Sequence, residues 1–241
     1  MFDRPLTLLL ALATFATAQT PTRVGYECTA ADTQAAGIGC SEEDPCPVYL
    51  ELENVESAGA KTFITGNLHT AMATLYSILL SSDDAGKTWT EPHPRIRQSG
   101  LDQIQFLDSQ NGWISGANLQ GAPRDPFFLI TSDGGKTWTE RPVFDETRVA
   151  AIERFRFNSP SEGELLIDAR LDNGKHELYE TQDGGNTWSI QPGAAQTKQR
   201  ASSIWRLRTD AATHSYVVEK SENNRWQKIA SFLVNIASCK E

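Results

Sequence analysis

This sequence of 241 residues has few basic residues and only one long apolar stretch, which lies near its start. Lysine and arginine total 22, against 31 aspartate and glutamate residues, and the formal net charge is −9. That charge argues against nucleic acid or an anionic membrane as the main partner. No segment has the ~20 consecutive apolar residues that cross a hydrocarbon core, so we expect no transmembrane segment.

Patterns typical of metal sites and of nucleophilic catalysis are also missing. The four cysteines form no C-x2-C pair, and the four histidines have no short metal-binding spacing. The acidic runs lack the alternating oxygen ligands of a calcium loop, and no G-x-S-x-G motif marks a nucleophilic serine. We therefore expect no metal and no cofactor.

The N-terminus has the three parts of an export signal. Residues 1–4 are weakly charged, residues 6–15 are almost wholly apolar, and Ala16-Thr17-Ala18 provides a small-x-small cleavage site. The apolar part is too short to anchor the chain in a membrane. We predict a signal peptide over residues 1–18, cleavage near Ala18, and a mature protein that is periplasmic or secreted.

The cysteines lie at the two extremities of the mature chain, which agrees with an oxidising compartment. Cys28, Cys40 and Cys46 are near its start, and Cys239 is near its end. Four cysteines allow three pairings. We favour Cys40 with Cys46, which closes a short loop, and Cys28 with Cys239, which joins the chain ends and reduces the entropy of the unfolded state.

An eight-residue motif, here called the octet, recurs at near-constant spacing. It reads Ser-Asp-Asp-Ala-Gly-Lys-Thr-Trp at 82–89, Thr-Ser-Asp-Gly-Gly-Lys-Thr-Trp at 131–138 and Thr-Gln-Asp-Gly-Gly-Asn-Thr-Trp at 181–188. The tryptophans are 49 and then 50 residues apart. A fourth, eroded copy at 221–226 lacks the glycine and the threonine.

Each part of the octet suits a tight turn between two strands. The aspartate can accept backbone N–H bonds across the turn, and glycine supplies a positive φ without steric cost. Because an indole stands at the same position in each unit, we expect it to pack between sheets and not to form a ligand platform. The structural residues assigned on this basis are Asp84, Gly86, Trp89, Asp133, Gly135, Trp138, Asp183, Gly185 and Trp188.

Short alternating apolar segments upstream of the octets predict four strands per unit, with second strands at 61–66, 112–116 and 164–168. Such units are typical of propeller blades. We predict an all-β fold, a small β-propeller over residues 46–241. Its four blades are expected at 46–97, 98–146, 147–197 and 198–236. The cysteine-containing segment 19–45, together with the last few residues, is nearly long enough for a fifth blade closed by both termini, so five blades are an alternative.

The octets resemble the Asp-box, or BNR, repeat of sialidases, sortilin-type receptors and the photosystem II stability/assembly factor family. The run Phe-Leu-Asp-Ser-Gln-Asn-Gly-Trp-Ile-Ser-Gly at 106–116, followed by the octet at 131–138, is most similar to the assembly-factor repeat. The resemblance spans 46–192 and implies a propeller; members of that family typically have seven blades, more than this chain can form. This sequence departs from the repeat pattern at Ala85, where the other octets have glycine, and at Glu164, where the second unit has Trp113.

The repeat serves enzymes, receptors and scaffolds alike, so it does not choose a function. We favour an exported, non-enzymatic scaffold that binds a protein or peptide partner. The alternative is a glycan-binding or sialidase-like glycosidase propeller, which needs an arginine cluster, a tyrosine nucleophile and acidic residues in one cleft. Five arginines would form a basic patch for an acidic peptide or a carboxylate if they shared a face. They are Arg148, Arg154, Arg156, Arg206 and Arg208.

Overall fold

A computed structural model describes residues 20–192 and 203–240. Almost all of the regular structure is strand, arranged in four antiparallel sheets. The protein is therefore all-β with the architecture of a small β-propeller, which confirms the predicted fold class. The predicted signal peptide, at residues 1–18, lies outside the described residues.

The four sheets follow one another along the chain. Sheet 1 contains β1 (Cys46–Ala58), β2 (Lys61–His69), β3 (Thr74–Ser82) and β15 (Asn235–Cys239). Sheet 2 contains β4 (Ser99–Phe106), β5 (Gly112–Asn118), β6 (Arg124–Thr131) and β7 (Thr139–Pro142). Sheet 3 contains β8 (Ala151–Phe157), β9 (Gly163–Ala169), β10 (Lys175–Thr181) and β11 (Ser189–Gln191). Sheet 4 contains β12 (Trp205–Asp210), β13 (Ser215–Glu222) and β14 (Arg225–Leu233).

Sheet 1 is built from both ends of the described chain. Its strand order is β15-β1-β2-β3, and Cys46 of β1 lies opposite Cys239 of β15. The strand expected after the first octet is reduced to two isolated bridges with β3, Ser81 with Thr90 and Tyr76 with Arg97. Within the described residues the two termini therefore do not form a fifth blade, because the C-terminal strand is used to complete the first one.

Two disulfides fasten the N-terminal segment to sheet 1. Cys28 is bonded to Cys239 and Cys40 to Cys46, which is the pairing that the sequence favours. Between Cys28 and Cys40 lies a short helix, α1 (Ala30–Ala36), which the sequence pattern did not indicate. In the described part of the chain, no helix has the length and apolar character needed to cross a membrane.

Among the described residues, sheet 4 has three strands, one fewer than the sequence predicts. The eroded octet forms the hairpin between β13 and β14. Asn223 and Asn224 at its tip have φ values of 50° and 58°, which is the left-handed conformation of a type I′ turn. At the edge of β14, Thr22 of the N-terminal segment forms a parallel bridge with Phe232.

The core consists of buried apolar clusters between neighbouring sheets. One cluster joins sheet 4 to sheet 1, a second joins sheet 1 to sheet 2, and a third joins sheet 2 to sheet 3. Within residues 20–192 and 203–240, no such cluster joins sheet 3 to sheet 4. In β2, Phe63 packs toward sheet 2 and Ile64 toward sheet 4, whereas in β9 Leu165 packs toward sheet 2 and its neighbour Glu164 lies on the opposite face.

Candidate functional site

The octets form equivalent turns that share the same hydrogen bonds. After β6, Asp133 Oδ1 accepts the backbone N–H groups of Lys136 and Thr137, both at 3.0 Å. Its Oδ2 accepts the Thr137 hydroxyl at 2.7 Å. The Thr131 hydroxyl donates to the same carboxylate at 2.8 Å and accepts the N–H of Gly135 at 2.9 Å. In the octets after β3 and β10, the aspartate likewise accepts both bonds from the threonine four residues later. The hydroxyl of the first residue of each octet accepts the N–H of the glycine.

These bonds stabilise the ionised form of each octet aspartate. Hydrogen bonds from the threonine four residues later lower the pKa of Asp84 to about 2, and the equivalent bonds lower the pKa of Asp133 to about 2. Burial opposes the ionisation of Asp183, but the bonds from its threonine prevail and lower its pKa as well. Because each carboxylate is engaged within its own turn, these aspartates hold turns together and are poor candidates for catalysis.

The octet tryptophans pack against aromatic rings of the preceding sheet in the order 4-1-2-3. The ring-centroid distances are 5.3 Å for Trp89 with Phe232, 5.9 Å for Trp138 with Phe63 and 5.5 Å for Trp188 with Phe128. Each indole also packs against one of the three buried clusters. The repeated indoles are therefore part of the packing between blades.

A second aromatic position links sheet 2 to sheet 3. Trp113 of β5 stacks on Phe157 with ring centroids 3.9 Å apart, and its Nε1 donates to the carbonyl oxygen of Gly184 in the next octet at 2.9 Å. The equivalent residue of sheet 3 is Glu164, on a face that contributes to none of the buried clusters among the described residues. Glu164 thus departs from the repeat on a face that belongs to none of the described clusters.

The five candidate arginines occupy three places. Arg148 lies between β7 and β8, where its Nη1 is 2.8 Å from Glu177 and its Nε is 3.1 Å from Asp172. The hydrogen bonds from Arg148 lower the pKa of Glu177 to about 2, which indicates a structural ion pair. Arg154 and Arg156 lie in β8 of sheet 3, and the last two lie in β12 of sheet 4.

Arg206 and Arg208 form what we call the sheet-4 surface, together with Glu219 and Trp226. The Nε atoms of the two arginines lie 2.6 Å and 3.4 Å from opposite oxygens of Glu219. The Arg206 guanidinium stacks 4.2 Å above the Trp226 ring, which is 41% exposed. Burial opposes the ionisation of Glu219, but the two guanidinium groups prevail and lower its pKa. One carboxylate shared by two guanidinium groups leaves a net positive charge on this surface.

A cavity of about 270 Å³ opens beside the first strands of sheets 1, 2 and 3, and we call it the inner cavity. It has an acidic side and an apolar side. The residues that matter for its chemistry are Glu53, Asn67, Asp102, Leu101, Leu119 and Ile152. Within the described residues no arginine or tyrosine lines it, so the residue set of a sialidase is not assembled there.

Three carboxylates occupy equivalent bulges in these first strands. The register of β1 with β2 shifts at Glu53, that of β4 with β5 shifts next to Asp102, and that of β8 with β9 shifts at Glu153. A β-bulge re-aims a side chain and is common beside functional sites. The repeat therefore places an acidic residue at the same point of three successive sheets.

The three bulge carboxylates differ in their partners. Glu153 lies 2.8 Å from His176 Nε2, whereas Glu53 and Asp102 line the inner cavity and form no ion pair with another described residue. By surface area both residues are exposed, yet the neighbouring protein restricts the hydration of each carboxyl group and disfavours its charged form. Burial, with the charges of Glu51 and Asp102, raises the pKa of Glu53 to about 7. Burial also raises the pKa of Asp102, against the effect of a hydrogen bond from Gln103.

Sequence reasoning missed these carboxylates because it looked for a site among positions that differ between blades. The signal was present in the sequence. Asp102 is 49 residues after Glu53, the same interval that separates the first two octet tryptophans, and Glu153 follows 51 residues later. These acidic residues recur near the middle of the first strand of each unit and have no role in the octet turns. The repeated tryptophans, in contrast, belong to the octets.

No protein-family model and no curated protein sequence matches this chain. Among solved structures, it is similar to "YCF48 bound to D1 peptide", with 16% identity and a TM-score of 0.43 over 76% of this chain and 54% of that one. YCF48 from Cyanidioschyzon merolae is 14% identical with a TM-score of 0.42, over 76% of this chain and 57% of that one. A GH74 xyloglucanase from Xanthomonas campestris is 12% identical with a TM-score of 0.42, over 73% of this chain and 28% of that one. The chain spans about half the length of the YCF48 structures, and likeness at this level concerns the fold alone.

Proposed function

We propose that this protein is an exported, non-enzymatic scaffold that binds an acidic segment of a protein or peptide partner on the sheet-4 surface. The observation that carries the proposal is the exposed Trp226 ring stacked under Arg206, with Arg208 beside it. Tryptophan and arginine are the side chains that most often dominate binding energy at interfaces. A guanidinium group also offers paired donors to a carboxylate.

The charge of sheet 4 supports an acidic partner. Residues 205–233 contain five basic and three acidic residues, in a chain whose formal net charge is −9. A local positive field on an acidic protein attracts acidic segments, whereas the rest of the protein's acidic surface repels them. The chemistry of the surface thus favours a partner rich in aspartate or glutamate.

The strand order of sheet 4 offers a second means of binding. β12 is an edge strand, and in the described part of the chain it pairs with β13 alone. An extended peptide can add to such an edge through main-chain hydrogen bonds, while side-chain contacts provide the specificity. Arg206 and Arg208 project from this same strand.

Export is supported by the chemistry of the cysteines. Cys28, Cys40, Cys46 and Cys239 all form disulfides, which persist in oxidising compartments. Together with the predicted signal peptide over residues 1–18, this favours a periplasmic or secreted location. The resemblance of the octets to the Asp-box repeat is compatible with this location and adds no partner.

The proposal is tested by titrating the mature protein with a fluorescein-labelled decaglutamate peptide and measuring the fluorescence anisotropy of the label. We expect saturable binding that weakens with salt, as for other screened charge contacts. Replacing Arg206, Arg208 and Glu219 together by glutamine removes the surface charge without leaving Glu219 buried alone, and it is expected to weaken binding at least tenfold.

The matched control is Arg170→Gln, which removes an exposed arginine directly after β9 that pairs with Asp168. It is expected to leave the affinity for decaglutamate within twofold. Equal binding of decaglutamine, or an unchanged affinity in the triple variant, contradicts the proposal.

Glycan binding or hydrolysis is the second candidate, and one observation favours it. Glu53 and Asp102 are carboxyl groups with raised pKa values in one cavity, and glycosidases use a protonated and an ionised carboxyl together. Turnover of a 4-methylumbelliferyl glycoside that Asp102→Asn abolishes would establish this function in place of the scaffold. Absence of turnover across a panel of such glycosides is the result that we expect.

A further inference from the structure

We propose that the inner cavity binds an organic cation, a primary ammonium or a guanidinium group carried on an apolar stem, as in a lysine or arginine side chain. This site goes beyond the proposed function, because the inner cavity and the sheet-4 surface have no residue in common. The inference rests on charge, on an unsatisfied buried amide and on the shape of the cavity wall.

The acidic side of the cavity lacks a counter-charge. Glu53 and Asp102 line it, and Glu51 is close enough to act electrostatically on Glu53. No lysine, arginine or histidine among the described residues forms an ion pair with any of the three. Like charges held together in a partly enclosed space destabilise one another, and a bound cation would relieve that repulsion.

Asn67 provides the second, independent observation. This residue lies in the cavity wall and is only 5% exposed. Its Nδ2 donates to Glu51 at 3.0 Å, but its Oδ1 has no hydrogen-bond partner. Buried polar atoms in native proteins are nearly always satisfied, so this orphaned acceptor, in a residue that lines the same cavity as Glu53 and Asp102, indicates a missing N–H donor. Ammonium and guanidinium groups supply such donors.

The remaining wall suits an apolar stem of limited size. Leu101, Leu119 and Ile152 line the cavity opposite its polar groups. Its volume of about 270 Å³ lies just below the ~300–1,000 Å³ typical of sites for drug-sized ligands. It therefore fits one long side chain or a small aliphatic amine.

Sheet 3 provides an internal comparison. At the bulge equivalent to those of Glu53 and Asp102, Glu153 has a donor from its own sheet, His176 Nε2 at 2.8 Å. Sheet 1 offers Glu53 no such donor among the described residues, and sheet 2 offers Asp102 only the side-chain amide of Gln103, at 3.5 Å. The same repeated position thus has a close donor in one sheet and is left for a ligand in the other two.

The test is isothermal titration calorimetry of the mature protein with n-butylamine, and with n-butanol as its neutral counterpart. A parallel pair of blocked tripeptides, Ala-Lys-Ala and Ala-norleucine-Ala, distinguishes a free amine from a protein side chain as the source of the cation. We expect the amine and the lysine peptide to bind at one site per chain, at least tenfold more tightly than their neutral counterparts. Tighter binding of the lysine peptide than of butylamine identifies a protein partner.

Glu53→Gln combined with Asp102→Asn is expected to weaken binding of the ammonium at least tenfold. These substitutions keep the side-chain shape and remove like charges, and circular dichroism checks that the variant folds. The matched control is Glu153→Gln, the equivalent position already paired with His176, which should leave affinity within twofold.

Three results would overturn the proposal. They are the absence of saturable binding by either cationic probe, equal affinity for n-butylamine and n-butanol, and an unchanged affinity in the double variant. Displacement of n-butylamine by stoichiometric calcium chloride would also contradict the proposal, because it would identify the inner cavity as a metal-ion site. The comparison of each charged probe with its neutral counterpart uses the wild-type protein alone, so it tests the proposal even if a variant fails to fold.

Discussion

Each octet turn is organised by one carboxylate. Asp133 accepts two backbone N–H groups and a hydroxyl, and Thr131 adds a fourth bond to the same group. Hydrogen bonds to an ionised acceptor are stronger than those between neutral groups. The turn is therefore held by the charged form of the aspartate, and protonation removes part of what holds it.

Stability of the octet turns is expected to depend on pH. The pKa of Asp133 is about 2 in the folded protein, below the ~3.9 of an unfolded aspartate. A depressed pKa stabilises the folded state above the unfolded value, and the contribution is lost as the pH falls from about 4 toward 2. Asp133→Asn should therefore lower the urea midpoint at pH 6, and its difference from the wild type should narrow as the pH falls to 2.

The measurement is urea unfolding followed by tryptophan fluorescence at several pH values. Asp145→Asn, a substitution at an exposed residue outside the octets, is the control and should leave the midpoint unchanged throughout. A difference between Asp133→Asn and the wild type that stays constant from pH 6 to pH 2 would contradict this account.

Ala85 and Gly134 stand at the same octet position with different tolerance for a Cβ atom. Both have positive φ, 61° and 72°, but a Cβ on Gly134 would lie 2.7 Å from the carbonyl oxygen of Ser109, while Ala85 is exposed. We expect Gly134→Ala to destabilise the protein by about 1–3 kcal/mol and Ala85→Gly to change stability by less than about 1 kcal/mol. The free energies of unfolding of the two variants are compared by denaturant unfolding. Equal changes in the two variants would refute the steric explanation.

At the scale of elements, β15 and the N-terminal segment act together on β1. The cross-strand neighbours Cys46 and Cys239 each form a disulfide with a residue of the N-terminal segment. Both covalent links therefore converge on one end of the β1–β15 pair. The strand pairing that closes sheet 1 and the fastening of the N-terminal segment are the same structural feature.

The two disulfides are expected to differ in their contribution to stability. Cys28 and Cys239 are 211 residues apart and Cys40 and Cys46 only 6. In the chain-entropy model these separations correspond to about 5 kcal/mol and about 2 kcal/mol. Replacing the first pair by serine should lower the free energy of unfolding more than replacing the second, as measured by urea denaturation. The reverse order would show that the unfolded chain does not behave as this model assumes.

At the scale of the whole molecule, sheets 1 and 2 form the centre of the packing. Each contributes to two buried clusters, whereas among the described residues sheets 3 and 4 contribute to one each. Sheet 3 therefore depends on sheet 2 for its buried contacts, and Trp113 is at the centre of that contact. Its outer face carries Glu164 and the buried Leu166, and it belongs to none of the clusters among the described residues.

Trp113→Ala is expected to cost about 3–5 kcal/mol, because the indole is 2% exposed and bonds to Gly184 across the sheets. Since the affected cluster is separate from the one that joins sheets 4 and 1, hydrogen exchange should accelerate in sheets 2 and 3 and remain unchanged in β14 and β15. Trp226→Ala, at an exposed indole, is the control. A uniform acceleration would show that the clusters open together.

How far the sequence predicts this molecule depends on the range of the interactions. The octet turns were predictable because their hydrogen bonds form within eight residues, as those around Asp133 show. The pairing of β1 with β15 is a contact across most of the chain and leaves no local pattern. The reduction of the first blade's last strand to isolated bridges at Thr90 and Arg97 was therefore not foreseen. Glu53 and Asp102 were missed because a bulge breaks the alternation by which strands are recognised.

The pairing of β15 with β1 has a consequence for biogenesis. β1 is made early, yet its edge stays open until synthesis has proceeded as far as Cys239. An open strand edge is a template for wrong pairing, so the nascent chain carries this hazard for almost the whole of its synthesis and release. Vectorial emergence from the ribosome or through a membrane thus delays completion of the first blade, and any helper that shields the waiting edge would act on β1 during that interval.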